Sequence, residues 1–344
     1  MNNFSNNEPI VFLLGAGFNC DAAAEAGKTK TDVLDSIGRP ARYPLVGDLL
    51  EPCFGLKDLP PNKSIEDIFQ ESIESGDRKP LEALYEWLMA LDEDIALRLR
   101  RKGSHDDNAY TKFLGKFRAS PLLTFNYDSL PELLLLSERS WCPMDGYGVE
   151  VQADKVTIRR GEQPVEKSLR PVLHLHGSLC VYPVTYGFEK RLGSDTSWMV
   201  DLPPKFKFDP DALGNLFHPF EGVHHGLTRT PVHERVIAPI PDKAEGLEGE
   251  FIKAVYGKAV NFLSAASQII CIGYSFNQHD QHSYAKLLHA ASGKSVLVVA
   301  PDSESLIERL ATEYPEIEWS AQNMSFANWV SSDYPGAKLR SEKA

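Results

Sequence analysis

The sequence predicts an α/β fold: a Rossmann-like parallel sheet with a helical insertion after its first strand and a loop-rich insertion after the strand that ends in His-Gly. Three observations predict it. Short, almost wholly apolar runs recur at wide intervals and stop at Gly, Asn or Pro, as strands buried on both faces do. Two of these runs, residues 268–276 and 295–303, bracket the helical pattern "QHSYAKLLHAASG", and strand, helix, strand at that length is a βαβ unit whose strands are parallel. The 344-residue composition is ordinary for a globular chain, 42% hydrophobic and 24% charged, and residues 1–340 read as a single domain.

The elements follow in order. "PIVFLLGAG" (9–17) is the first strand. A helical insertion over 41–115 follows: "SIEDIFQESIES" carries Ser64 three residues before Asp67, an N-cap signature. "PLEALYEWLMALDEDIALRLRRK" is amphipathic and ends in a basic cluster that suits a helix C-terminus better than a nucleic acid. "SPLLTFNYD" (120–128) and "RPVLHLHGS" (170–178) are the next strands. Residues 181–250, rich in Pro, Gly, Asp and Lys, read as a loop-rich insertion. In the final βαβ unit, Gly293 stands where the helix should stop.

Composition limits the function classes. A net charge of -12 argues against duplex DNA or an anionic membrane as the main ligand. No apolar run reaches the length of a membrane span. The five cysteines are scattered, with no C-x-x-C pair for zinc or redox chemistry. The opening "MNNFSNNEPI" is polar, so no secretory leader is expected and a reducing cytoplasm is the expected compartment. His218, His224, His225 and His233 lack the partner spacings of a zinc site, and no metal is predicted.

Ligands of open parallel sheets bind at the carboxyl ends of the strands. The polar groups cluster there: "GAGFN", "TFNYD", "HGS", "GYSFNQHD" and "APDS". The turn at Gly15-Ala16-Gly17 permits close approach to phosphate, but Cys20 replaces the third glycine of the dinucleotide fingerprint, so the nearby Asp32 and Asp35 carry little. "GYSFN" lacks the closing glycine of a nucleophile elbow, since Asn277 stands there, and reads better as a second Gly-Ser contact through Gly273 and Ser275. Asp280 is expected to cap the following helix. His174 and His176 are expected to share one strand face. His174 reads as a core residue, and His176, at the strand end, as a half-exposed general base poised near neutrality. Asn126 offers a donor and an acceptor to a sugar hydroxyl or water.

Taken as an ordered set, "GAGFN", "TFNYD", "LHLHG" and "IGYSFNQHD" resemble the SIR2 (sirtuin) fold, and most nearly the SIR2-like NAD hydrolase effectors of bacterial antiviral defence. The resemblance spans residues 9 to 303 and fades after Leu179. It implies a sirtuin-type core that binds NAD as substrate, with Gly15, Ala16, Gly17, Phe18 and Asn19 at the first phosphate turn and Gly273 and Ser275 at the second. It places Asn126 and His176 as catalytic residues, Asp128 as the acid after that Asn, and Pro44 in the loop over nicotinamide. Asn19 stands where the family often has Ser, and the four-cysteine zinc module of the protein deacylases is missing. The implied activity is therefore breakdown of NAD to ADP-ribose and nicotinamide in an abortive-infection effector, working as a homo-oligomer or beside a HerA-like ATPase or other phage-sensing partner. The alternatives are an NAD or ADP-ribose sensor without turnover, a structural subunit of a defence complex, and a deacylase lacking the zinc module.

Overall fold

The computed structural model describes residues 9–25, 43, 49–101, 108–153, 156–157, 165–190, 197–208, 218–219, 240, 243, 247 and 249–338. In chain order the strands are β1 (Ile10–Leu14), β2 (Leu122–Thr124), β3 (Val151–Gln152), β4 (Val156–Thr157), β5 (Val172–His174), β6 (Val181–Lys190), β7 (Ser197–Phe208), β8 (His218–Pro219), β9 (Gln268–Ile272), β10 (Ser295–Ala300) and β11 (Glu318–Asn323). The helices are α1 (Ala16–Glu25), α2 (Leu50–Phe54), α3 (Ile65–Glu74), α4 (Lys79–Arg101), α5 (Ala109–Lys116), α6 (Leu130–Ser137), α7 (Glu250–Ala265), α8 (Gln281–Ala290), α9 (Ser303–Glu313) and α10 (Phe326–Ser331).

All five predicted strand runs form one sheet with β11, in the order β11-β10-β9-β1-β2-β5, and every pairing is parallel. Phe12 at its centre pairs with Leu122 on one side and Ile270 on the other. The chain builds outward from β1 through β2 to β5, then returns to the other side of β1 with β9. That reversal makes the junction of β1 and β9 the topological switch point, the place at the carboxyl ends where open parallel sheets bind ligands. β11 has the sequence EWSAQN, and each of its residues is exposed or half-buried. It is an edge strand, so it lacks the continuous apolar run that marks the buried ones.

The helical insertion supplies α2 to α5. Ser64 and Asp67 form the expected capping box, the Ser64 hydroxyl accepting from the Asp67 amide and the Asp67 carboxylate from the Ser64 amide. α1, α5 and α10 meet over β1 through an aromatic cluster: Phe12 lies 4.8 Å from Phe113, and Phe18 lies 4.8 Å from Phe326.

The segment expected as loops departs from that reading. Its described part opens with an antiparallel hairpin of β6 and β7, flanked by β3 in a three-stranded sheet. Val, Tyr, Phe, Trp and Met supply strand propensity there. Gly187, Pro183, Pro203 and Pro204 obscured it, although the two strands pair along most of their length and bulge between Val184 and Tyr186.

Candidate functional site

The strand ends bring together most of the residues named from sequence. Ala16 and Ser275 are exposed, Gly17, Asn126 and Gly273 are partly buried, and Gly15, Phe18, Asn19, Asp128 and His176 are buried. Pro44 lies outside the described residues, as do His224, His225 and His233. Among the described residues no three His, Cys, Asp or Glu side chains form a set that could hold a metal ion. No described helix is long and apolar enough to cross a membrane.

The two glycine turns meet each other. The Gly15 amide donates to the Ile272 carbonyl at 3.0 Å, and the Gly17 amide to the Gly273 carbonyl at 2.9 Å. A Cβ on Gly273, whose φ is +59°, would stand 2.5 Å from the Gly17 Cα. Backbone packing therefore accounts for these glycines without any ligand. The Gly15 and Gly17 amides are engaged, and a phosphate would have to meet the start of α1 at the exposed Ala16.

Asn126 is anchored on three sides. Its amide N–H donates to Thr124 Oγ1 at 3.0 Å, its Nδ2 donates to the Gly15 carbonyl at 3.0 Å, and its own carbonyl lies 3.2 Å from His174 Nδ1. Its remaining polar atom, Oδ1, has no hydrogen-bond partner among the described residues, and the side chain is half-buried. The sequence reading allowed Asn126 both a donor and an acceptor. The fold spends one of the two Nδ2 hydrogens on Gly15 and leaves the acceptor Oδ1.

The histidines differ from expectation. β5 ends at His174, the chain turns, and Gly177 takes φ +89°. The two-residue alternation of a strand thus stops before His176, and the two rings enter different surroundings. His174 is fully buried. Its Nε2 lies 2.6 Å from Glu132 Oε1 on α6. Burial alone would lower its pKa, but Glu132, then Asp128 and the Asn126 carbonyl, raise it above the ordinary value.

His176 is 2% exposed, not half-exposed. Its ring packs 4.9 Å from Phe125 and 6.0 Å from Tyr127, the two chain neighbours of Asn126. Its Nε2 lies 3.2 Å from Ser283 Oγ on α8 and 3.9 Å from Asp280 Oδ1. Burial pushes its pKa down to about 3, against a raising effect from Asp280 and with a lowering one from Lys243. The expected poise near neutrality is thereby corrected: the imidazole is neutral at physiological pH because a charged ring in an apolar pocket is costly.

Asp280 sits at the N-cap position of α8 but makes no side-chain cap there. Its carboxylate instead pairs with Lys243 and accepts from the Tyr274 hydroxyl at 3.3 Å. Asp128 accepts from Asn19 Nδ2 and from the Leu130 amide. Burial raises its pKa to about 6. Asp92 on α4 is raised as well, by burial and then by the neighbouring Asp128, and it accepts from Tyr43 and Ser129.

Sequence reasoning missed Glu132, Ser283, Asp92 and the Phe125–Tyr274 stack, whose rings lie 4.3 Å apart. For Glu132 a signal existed. It is the one charged residue of LPELLLLS, a helix too apolar to present any face to water.

Neither a protein-family model nor a curated protein matches the chain. Among solved structures, two mutants of a Sir2 homologue in complex with ADP-ribose align along most of it. One is 16% identical, covers 95% of this chain and 91% of that one, and has a TM-score of 0.36. The other is 14% identical, covers 96% and 92%, and has a TM-score of 0.37. A likeness at that level carries no residue role across.

Proposed function

We propose that the protein binds NAD across the β1–β9 switch point and hydrolyses its nicotinamide–ribose bond. The observation that carries this reading is Asn126: a strand-end carboxamide with every polar atom anchored except Oδ1, flanked by the two aromatic residues that bury a neutral imidazole. An acceptor held that rigidly suits a ribose hydroxyl or an attacking water.

The chemistry asks little more. As the C–N bond breaks, nicotinamide leaves with the bonding pair and becomes neutral, so no general acid is needed, and the sugar gains oxocarbenium character. Water adds to the anomeric carbon and loses a proton. A base whose pKa is about 3 takes that proton late, once the water oxygen has bonded to carbon and become strongly acidic. Its neutral form is the competent one across physiological pH.

A second reading, nucleotide binding without turnover, draws support from the burial of His176 and the engagement of its Nε2 by Ser283. The abortive-infection role, the homo-oligomer and the ATPase partner rest on the motif set and belong to the same proposal.

Chromatography of NAD incubated with the protein, beside calorimetry with ADP-ribose, separates the readings. Release of nicotinamide with ADP-ribose supports hydrolysis. Binding without release leaves the sensor, and neither binding nor release removes both.

A further inference from the structure

Asn126 owes one of its three anchors to a buried pair that the mechanism above does not use. Glu132 and His174 are both wholly inaccessible, 2.6 Å apart, in the midst of apolar side chains. Such a pair is a poor device for stability alone, because desolvating two charges offsets most of their attraction and an apolar pair of similar volume often serves as well. Its geometry is directional instead. Nδ1 of His174 faces a main-chain carbonyl, which can only accept, and Nε2 faces a carboxyl oxygen. An imidazolium donating from both nitrogens satisfies both partners. The other groups facing the ring are Asp128 and Tyr147, the latter 6.1 Å away between ring centres. Oε2 of Glu132 has no hydrogen-bond partner among the described residues, so the carboxylate is committed to the histidine.

We propose that Glu132 and His174 are positioning residues for Asn126: the carboxylate orients the imidazolium, whose Nδ1–H holds the Asn126 carbonyl and so fixes the direction in which Oδ1 is presented. This deepens the proposed NAD cleavage and takes from it the role of Asn126. Neither residue touches substrate. Removing the charge of Glu132 frees the ring to turn or lose a proton, and the β2 end gains freedom while the rest of the crevice keeps its walls.

Glu132→Gln is the direct test, because it preserves volume and leaves an oxygen within reach of Nε2. The expected result is a fall in kcat of ~10²-fold, as for a small misplacement of a reacting group. KM for NAD and the affinity for ADP-ribose should stay near wild type, and the side-chain amide resonances of Asn126 should shift in selectively labelled protein. Unchanged kcat in the folded variant, or unshifted Asn126 resonances, would overturn the proposal. If wild-type protein releases no nicotinamide, the hydrolase reading falls, and the Asn126 resonances still decide the positioning role. Should Glu132→Gln fail to fold, the wild type provides a second measurement. A slowly exchanging His174 Nδ1–H, with a nuclear Overhauser contact to the Asn126 backbone, is expected, and its absence would overturn the proposal.

Discussion

The pockets around His174 and His176 are two residues apart in sequence and opposite in electrostatics. Both rings are almost wholly excluded from water, at 0% and 2% exposure, so burial lowers both pKa values to begin with. The His174 pocket supplies Glu132 in direct contact and Asp128 nearby, and these raise the value above its ordinary level. The His176 pocket supplies Phe125, Tyr127 and a serine hydroxyl, while its nearest carboxylate, Asp280, is 3.9 Å away and already paired with Lys243. One imidazole is thus pushed towards its cationic form and the other towards its neutral form. Burial alone does not decide the charge of a histidine; the partner within hydrogen-bond reach does.

The two pockets should differ most in activity. Asn126→Ala removes the anchored acceptor, and His176→Ala removes the base. Each is expected to lower nicotinamide release per folded molecule by ~10²–10⁴-fold, measured beside circular dichroism on the same samples. Because His176 fills a buried pocket, its variant should also lose about 1–3 kcal/mol of stability in denaturant titration. Wild-type turnover in His176→Ala would leave the ring a packing element and make the two pockets functionally alike.

Next in size is the cost of orphaning a charge. Glu132→Ala leaves the His174 imidazolium buried without its counterion, and a loss of about 3–5 kcal/mol is expected from equilibrium unfolding. A loss no larger than that of a surface substitution would mean that the pair is neutral in the folded protein.

Acid titration of stability gives the smallest effect. The folded His176 value is about 3 and the unfolded one ordinary, so below pH ~6.5 the unfolded chain takes up a proton that the folded chain refuses, and stability falls as pH falls. Between pH 6.5 and 5 this amounts to about 1.6 kcal/mol. His174, raised in the fold, acts in the other direction: its contribution grows as pH falls towards the unfolded value and is complete below it. Asp128, raised to about 6, prefers its neutral form in the fold and also stabilises on acidification. The difference between wild type and His176→Gln isolates the first contribution, and parallel pH curves for the two proteins would contradict it.

What could be read from the sequence follows from where the information is local. Five of the six strands of the parallel sheet announced themselves as continuous apolar runs, and the Ser64–Asp67 cap as a spacing of three. The edge strand β11 and the hairpin β6–β7 did not, because half-polar strands rich in Pro or charge carry no such run. At the site, Asn126 and His176 stood out as polar residues ending apolar runs. The state of His176 could not be read, because it depends on a turn after His174 and on residues such as Ser283, more than a hundred positions away. Glycine was legible but its cause was not. "GAG" suggested phosphate, whereas the contact of Gly17 with Gly273 is one backbone against another.

The opposite charge of the two rings is the claim from which the rest follows, and a histidine NMR titration tests it most directly. His176 resonances should stay at neutral-imidazole positions from pH 8 to 5, consistent with a value of about 3, while His174 keeps imidazolium shifts at and above the pH where a free histidine titrates, ~6.5. Two rings titrating together near that free value would contradict the account.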